Sequence, residues 1–359
     1  MSISQAQIRE AFARLRREGQ RHRDIAAQLS VSEGELIAAH VGAVDEASPP
    51  ILRATRLRAD WPALIASLEP LGEVMALTRN ASCVHEKIGV YRRASHNGPV
   101  GLVLDSAIDL RVFYAQWAHG FAVSESGERD TQLSLQFFDA QGVAVHKVIM
   151  KPQSDAQAYA ALVTAFLHED QSLGLQAQAT AARVSETPDE QVNVAAFRQD
   201  WRALRDTHEF FGLLKQHKVS RTQALRLAEP AFAQQVDVSS AQQILSQAAQ
   251  DGVSIMVFVG NPGMIQIHTG PVRRVAMMGP WINVLDADFN LHLREDHIAT
   301  AWVVRKPTTD GLVTSLELFD AEGEVIAMFF GERKPGKPEL CEWRALVDNL
   351  LKEPQPCAA

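Results

Sequence analysis

The chain has 359 residues, and 46% of them are hydrophobic, which provides enough apolar surface for two packed cores or one large one. Its formal net charge of -8 argues against nucleic acid or an anionic membrane as the main partner. No apolar run is long enough to span a bilayer, and the first residues lack the basic and apolar parts of a signal peptide. We therefore expect a cytoplasmic protein without membrane insertion.

In chain order, a helical region at residues 5–68 is followed by strand patterns at short spacing. Residues 134–148 contain two apolar strand patterns around a polar turn that ends in glycine, which predicts a β-hairpin. A second helical region at 193–250 and a second hairpin pattern at 316–330 repeat this order. Helices first and a meander of strands afterwards predict an α+β fold.

The sequence is internally duplicated, because residues 80–142 align without a gap on residues 261–323, an offset of 181. The two segments share 18 identical residues in 63 positions, where ordinary composition would give about four. We place the first repeat at 1–182 and the second at 183–359, with a polar linker at 183–193. Each repeat is predicted to be a helical region followed by an antiparallel sheet.

Several kinds of site are excluded by what the sequence lacks. The three cysteines, Cys83, Cys341 and Cys357, form no CxxC pair, which excludes a disulfide framework and a thiolate zinc site. No glycine-rich phosphate-binding motif is present. Residues 24–32 resemble the opening of a helix-turn-helix, but 213–220 occupy a similar place in the second repeat. A helix pair that is used twice is better explained as scaffold, so DNA binding is not expected.

His208 is a candidate metal ligand in the second helical region. The apolar residues Trp201, Leu204, Phe211 and Leu214 predict one helix with a single buried face, and His208 lies at its border. One nitrogen of a neutral imidazole there could hold iron while the other fixes the tautomer through a further bond. On spacing alone, a half-buried histidine bonded to a backbone carbonyl is the simpler interpretation.

Six short segments change that interpretation. They are 74–80 (VMALTRN), 108–113 (IDLRVF), 116–117 (QW), 206–211 (DTHEFF), 215–221 (KQHKVSR) and 265–272 (IQIHTGPV). Through them the chain resembles the HemS-like family of bacterial cytoplasmic haem-degrading and haem-trafficking proteins over nearly its whole length. Each segment is short, but together, in this order and on a duplicated chain, they are specific.

The resemblance implies two similar halves with a haem cleft between them and haem b as the ligand. It implies His208 as the proximal iron ligand and Arg111 as a distal arginine that can hydrogen-bond a ligand on the iron. The remaining implied residues are Arg221, Lys306 and Arg333 as propionate partners, Phe113 and Phe330 as pocket aromatics, and His85 as an alternate iron ligand. Propionates favour such cations, although without the resemblance each cation would be read as ordinary surface charge.

Two functions follow from the resemblance, and the same residues would serve either. The first is oxidative haem degradation with oxygen and an external electron donor, releasing iron after haem uptake, with Arg111 as the catalytic residue. The second is a chaperone that delivers intact haem to a separate haem oxygenase. A haem uptake transporter is a further candidate partner in iron acquisition.

The duplication favours one asymmetric site over two equivalent ones. Arg111 in the first repeat aligns with His292 in the second, and His85 aligns with Gln266. The chemically active residues therefore differ between repeats while the scaffold stays alike.

Overall fold

The computed structural model describes residues 3–42, 51–127, 130–180, 185–333 and 336–351. The α-helices in this part of the chain are α1 (Gln5–Arg17), α2 (His22–Gln28), α3 (Glu33–Ala38), α4 (Trp61–Ala66), α5 (Ala156–Ala165), α6 (Val194–Arg202), α7 (Glu209–His217), α8 (Arg221–Leu227), α9 (Ser240–Asp251) and α10 (Cys341–Leu350). The strands are β1 (Leu52–Leu57), β2 (Val74–Arg79), β3 (Cys83–Gly89), β4 (Ala94–Asn97), β5 (Val100–Leu104), β6 (Asp109–Phe113), β7 (His119–Ser126), β8 (Thr131–Phe138), β9 (Ala144–Met150), β10 (Ala233–Val236), β11 (Ser254–Asn261), β12 (Met264–Pro271), β13 (Val275–Met278), β14 (Trp281–Leu285), β15 (Phe289–Arg294), β16 (Thr300–Thr308), β17 (Gly311–Phe319) and β18 (Val325–Gly331). Within these ranges, no helix has both the length and the apolar character needed to cross a membrane.

The chain divides into two compact units. The first unit comprises Met1–Arg79, Glu86–Ala181 and Asn261–Gln266, and the second comprises Asn80–His85, Ala182–Gly260 and Ile267–Ala359. The strands form two nine-stranded sheets, and β3 and β12 are each divided between the units. The predicted repeat boundary between residues 182 and 183 lies outside the described residues.

In the first unit, five antiparallel strands follow the order β1-β7-β8-β9-β2, and β4, β5 and β6 form an antiparallel meander. Helices α1 to α3 pack on one core, which includes Phe12 of α1 and Phe138 of β8. Helices α4 and α5 pack on another, in which Trp61 meets Phe137. Adjacent residues of a strand point to opposite faces, so neighbouring phenylalanines of β8 serve both cores. Each such buried ring contributes roughly 2–3 kcal/mol.

The second unit repeats this plan. Its five antiparallel strands follow the order β10-β16-β17-β18-β11, and β13, β14 and β15 form the meander. Helices α6 to α8 contribute Trp201 and Phe210 to a core that includes Val304 of β16. Helices α9 and α10 contribute to the other core, which includes Trp343 of α10 and Leu316 of β17. The five-stranded part of each unit is therefore covered by helices on both faces.

Strand pairing confirms the duplication at the level of individual residues. In the first unit, His119 of β7 pairs with Phe138 of β8. The residues 181 positions later, Thr300 and Phe319, pair in the same way in β16 and β17. At each of these phenylalanines, the pairing with the following strand, β9 or β18, shifts its register. The predicted α+β fold with two similar halves is therefore confirmed.

The capped helix before each sheet also starts in the same way. Ser32 before α3 and Ser220 before α8 each accept a hydrogen bond of 3.1 Å from the backbone N–H three residues later. Such a cap contributes about 1 kcal/mol. The hairpin turn facing each cap has a glycine at positive φ, Gly142 at 74° and Gly323 at 77°, and an added Cβ would collide with the cap region. The turn and the helix start therefore fix each other's position.

Two strands lie where helical structure was predicted. β1 falls inside residues 5–68 and β10 inside 193–250, so those predictions are wrong over these segments. Each of these strands pairs with a strand far along the chain, as Leu52 does with Glu125. Local periodicity carries no information about such a partner. The hairpins predicted at 134–148 and 316–330 are present as β8–β9 and β17–β18.

Two histidines of the first unit are buried and neutral. His146 lies between the hydroxyls of Thr78, 2.9 Å from Nδ1, and Tyr91, 2.6 Å from Nε2. Burial lowers the pKa of His146 to about 3. Burial also lowers the pKa of His40 to about 4, although the bond to the Leu36 carbonyl opposes this shift. Both rings therefore favour folding only while they are uncharged.

We expect the free energy of unfolding to fall as the pH drops below about 6.5, where the imidazoles of the unfolded chain gain protons. The folded protein keeps both rings neutral until the pH reaches about 4 for His40 and about 3 for His146. Between pH 7.5 and 5, each ring should therefore cost about 2 kcal/mol of stability. Urea denaturation at both pH values checks this, with His146→Gln compared against His96→Gln, a change at an exposed histidine. His146→Gln should lose about 2 kcal/mol less stability than His96→Gln when the pH falls from 7.5 to 5. The same pH dependence in both variants would show that His146 is not a buried neutral ring.

Candidate functional site

The segment that carries His208 is a break between two helices. α6 ends six residues before His208, and α7 begins directly after it. The predicted single helix with Phe211 in its buried face is therefore wrong. The break shifts the helical phase, so that Phe210 is 2% exposed and Phe211 is 75% exposed. The other three apolar residues of the predicted face are buried: Trp201, Leu204 and Leu214.

Asp206 holds His208 by two hydrogen bonds. Its Oδ1 accepts from the backbone N–H of His208 at 2.8 Å and lies 2.6 Å from Nδ1 of the ring. The backbone bond is the main reason why the pKa of Asp206 lies below its usual value. The side chain of His208 is 88% exposed, so its other ring nitrogen, Nε2, is accessible to an incoming ligand.

A charged cluster, formed by Arg221, Lys306, Ser315 and Glu317, lies at the sheet of the same unit. Arg221 donates to both oxygens of Glu317, at 2.7 Å from Nε and 2.8 Å from Nη2. Lys306 and Ser315 donate to Oε1 of Glu317 at 2.7 Å and 2.9 Å. Lys306 and Glu317 are 3% and 0% exposed. Two cations share one carboxylate, so the cluster has a net positive charge in a desolvated environment.

Burial and pairing act in opposite directions on the titration of this cluster. Burial lowers the pKa of Lys306 to about 8, against the attraction of Glu317. Burial alone would raise the pKa of Glu317, but Arg221 and Lys306 hold it below its usual value. The ring of Phe210 connects the cluster to α7, because Lys306 Nζ lies 4.6 Å and Arg221 Cζ 5.2 Å from its centroid. Such cation–π contacts contribute roughly 0.5–2 kcal/mol each.

Four half-buried side chains, Met256, Phe258, Met328 and Phe330, form an apolar face on β11 and β18. The strand register pairs Met256 with Phe330 and Phe258 with Met328, and the two phenylalanine centroids are 5.0 Å apart. The intervening residues of both strands point into the opposite core. Arg221 Nη2 contacts Met328 Sδ at 3.2 Å. The apolar face therefore borders the charged cluster.

Arg333 completes the predicted site residues of this region. Its Nη2 lies 3.6 Å from Oδ2 of Asp310, and its charge also helps to lower the pKa of Asp206. The second unit thus brings His208 and Arg333 near Asp206. The remaining predicted residues of this unit are Arg221 and Lys306 in the charged cluster and Phe330 in the adjoining apolar face.

Two predicted pocket residues belong to the first unit. Arg111 lies on β6, forms an ion pair with Asp109, and is 30% exposed. Burial raises the pKa of Asp109, although Arg111 opposes this shift. Phe113 ends β6 half-buried, and its backbone N–H donates to the Gly263 carbonyl at 3.0 Å. Their roles toward haem stay predictions.

His85 belongs to the second unit and is fully buried, with its ring centroid 4.9 Å from that of Phe289. Acting as an iron ligand would require this ring to be uncovered. Its role as an alternate ligand also stays a prediction.

The sequence matches the family model described as the haemin-degrading HemS.ChuX domain twice, at residues 30–166 and 218–350. The chain belongs to the HemS family. The resemblance stated from the six segments is thereby confirmed, and the two matches agree with the duplicated fold. HemS-family proteins in the curated set include the hemin transport protein HmuS of Yersinia pestis, which is 42% identical over 343 residues, or 95% of this chain and 96% of that protein.

Solved HemS-family structures share the fold over almost the full length. The holo form of PhuS, described as a heme-binding protein from Pseudomonas aeruginosa, has 48% sequence identity and a TM-score of 0.92. The match covers 97% of this chain and 99% of that one. ChuS, described as an E. coli heme oxygenase, has 39% identity and a TM-score of 0.84, and the match covers 96% and 99%. The family is therefore one of haem-binding proteins.

The sequence patterns did not assign a role to three residues of this candidate site: Asp206, Phe210 and Glu317. The available signal for Asp206 was its place three residues before Glu209, which is typical of a helix start, and two residues before the histidine. Glu317 aligns with Gln136 in the first repeat, so a charge that differs between the repeats was the available signal. Phe210 could not be distinguished from Phe211 without knowing where the helix breaks.

Replacing the buried carboxylate should destabilise the protein strongly. Glu317→Gln leaves Arg221 and Lys306 without their shared anion, and breaking a buried pair in this way costs roughly 3–5 kcal/mol. The matched control is Glu229→Gln, which breaks the partly exposed pair with Arg202 and should cost less than about 1 kcal/mol. Urea denaturation at pH 7.5 measures both. Equal losses in the two variants would show that the cluster does not stabilise the fold as described.

Proposed function

We propose that the chain binds haem in the cytoplasm with His208 as the iron ligand. The observation that carries the proposal is the His208 imidazole, whose Nδ1 is held by Asp206 while Nε2 is accessible. Imidazole is a common protein ligand of haem iron, and the nitrogen that does not bind iron is usually bonded to a carboxylate or carbonyl. The donor chemistry of this turn therefore fits haem. The description of PhuS as a heme-binding protein supports the same ligand.

The surroundings of the charged cluster fit the periphery of a haem. The planar ring of haem is apolar and suits the methionine and phenylalanine side chains of the apolar face. The haem propionates are anionic. We propose Arg221, Lys306 and Arg333 as partners of the propionates, since guanidinium and ammonium groups bind carboxylates well. Arg221 is the strongest candidate within the cluster, because it is 24% exposed whereas the side chain of Lys306 is 4% exposed.

We further propose that haem is the substrate of this chain. The macrocycle would be opened by oxygen with electrons from an external donor, and iron would be released for use by the cell. The family description as haemin-degrading and that of ChuS as a heme oxygenase support this reaction. Haem supplies the oxidation chemistry when bound, and the chain binds and orients it. Arg111 is the proposed catalytic residue, since a guanidinium offers five N–H donors to a ligand of the iron.

The second candidate function is a carrier that delivers intact haem to a separate haem oxygenase. The relatives HmuS and HemS of two Yersinia species are both named hemin transport proteins. The exposure of His208 also favours this function, because a receiving protein could replace a ligand at the surface without opening a core.

Titration of the purified full chain with haemin tests the proposed ligand. The unmodified protein should give a sharp Soret band, and His208→Ala should lose that band or lower the affinity at least about 10-fold. The matched control is His217→Ala at the end of α7, because Nε2 of His217 is already bonded to Asp200 at 2.8 Å. Normal binding by His208→Ala would reject His208 as the ligand, and an equal loss of binding in the control would show that the effect is not specific to His208.

Adding ascorbate to the haemin complex in air, with catalase present, separates the two functions. If the chain degrades haem, the Soret band should decay while a bilin absorbance appears. Arg111→Ala should keep the initial band but slow its decay on the order of 100-fold, whereas Arg53→Ala, at an exposed arginine of the same unit, should leave the decay unchanged. A band that persists in the unmodified protein, with intact haem passing to a haem oxygenase, would establish the carrier and end the enzyme proposal.

A further inference from the structure

We propose that Asp206 is a positioning residue that directs Nε2 of His208 toward iron and makes this nitrogen a stronger donor. This inference rests on the proposed function, because it requires His208 to be the ligand. Its basis is the contact of 2.6 Å between Asp206 Oδ1 and Nδ1 of the ring.

The contact selects one tautomer of the ring. A carboxylate can only accept, so Nδ1 must carry the proton and Nε2 must present its lone pair. A hydrogen bond to a charged acceptor is also about twice as strong as one to a neutral acceptor. It gives the imidazole partial imidazolate character, which strengthens its bond to a metal.

The turn itself is held by local hydrogen bonds, in addition to the one that the Thr309 backbone N–H donates to the Arg205 carbonyl at 2.9 Å. Glu209 Oε2 accepts from the backbone N–H of Arg205 at 2.8 Å and from that of Asp206 at 3.3 Å. The backbone N–H of Glu209 donates in return to the Asp206 carbonyl at 3.2 Å. Asp206 is thus fixed at its backbone before it orients the ring. The ring needs this support, because a side chain that is 88% exposed receives little from packing.

A second aspartate–histidine pair of the same unit shows the opposite arrangement. Asp200 Oδ2 lies 2.8 Å from Nε2 of His217, whose side chain is 10% exposed and packs on Phe197 with centroids 5.5 Å apart. There the carboxylate occupies the nitrogen that His208 leaves accessible. Asp200 therefore provides a matched control with the same residue types and the same change of charge.

The experiment compares Asp206→Asn, Asp206→Ala and Asp206→Glu with Asp200→Asn in the full chain, using haemin as the probe. Asparagine can still accept from the backbone N–H of His208, so Asp206→Asn removes the charge at the ring and keeps the turn. Alanine removes both contacts, and glutamate retains a carboxylate. The readouts are the haemin dissociation constant, the iron–histidine stretching frequency of the reduced complex and its midpoint potential.

We expect Asp206→Asn to weaken haemin binding roughly 10- to 100-fold, to lower the stretching frequency and to raise the potential. Asp206→Ala should show larger shifts, Asp206→Glu smaller ones, and Asp200→Asn none. A purely structural role would weaken binding without moving the stretching frequency, and that result would overturn the proposal. The proposal would also be overturned if the Asp206 variants behaved like Asp200→Asn while His208→Ala lost the Soret band. That result would leave the proposed function intact. Normal haemin binding by His208→Ala would instead show that His208 is not the iron ligand, and the proposed function would then fail.

Discussion

A single buried carboxylate, Glu317, determines where the cations of the second unit must lie. It has no contact with solvent, so its charge is tolerated only because Arg221 and Lys306 are held within hydrogen-bond distance. Arg221 is the first residue of α8 and Lys306 lies on β16, so the charge of Glu317 ties this helix to the sheet. Phe210 lies beneath both cations and thereby places α7, at whose start His208 stands. The position of the proposed iron ligand thus follows from an electrostatic requirement deep in the sheet.

The duplication explains how one scaffold can contain one specialised site. Both units start a helix at a serine cap, Ser32 or Ser220, opposite the glycine of a hairpin turn. The next residue is Glu33 in the first unit and Arg221 in the second, so the charge at the first position of the helix is reversed. Each finds partners of opposite sign on its own sheet, Glu33 with two basic side chains and Arg221 with Glu317. The backbone contacts that build the unit are repeated, while the buried charges that define its chemistry are not.

The sequence predicted those parts of the fold that depend on local pattern and on the offset between the repeats. The hairpins were predictable because apolar alternation and a glycine turn occur within about fifteen residues. The break between α6 and α7 was missed, although an aspartate three residues before a glutamate, as at Asp206 and Glu209, is typical of a helix start. Which of Phe210 and Phe211 is buried depends on tertiary packing. The alignment of Glu317 with Gln136 marks a charge that differs between the repeats, but it does not identify the partner Arg221, which lies 96 positions away.

The proposed site divides its tasks between two kinds of structure. The charged cluster is desolvated and tied into the sheet, so its arrangement costs little further entropy when an anion binds. The turn that carries His208 is exposed, and its imidazole ring is oriented by Asp206 rather than by packing. If His208 holds iron as proposed, changes in the turn would alter how firmly iron is held without disturbing the side chains that are proposed to meet the rest of the macrocycle. Such a division suits a protein family whose members are described both as haem-degrading and as hemin transport proteins, because retention and release can be set by a few surface residues on a fixed scaffold.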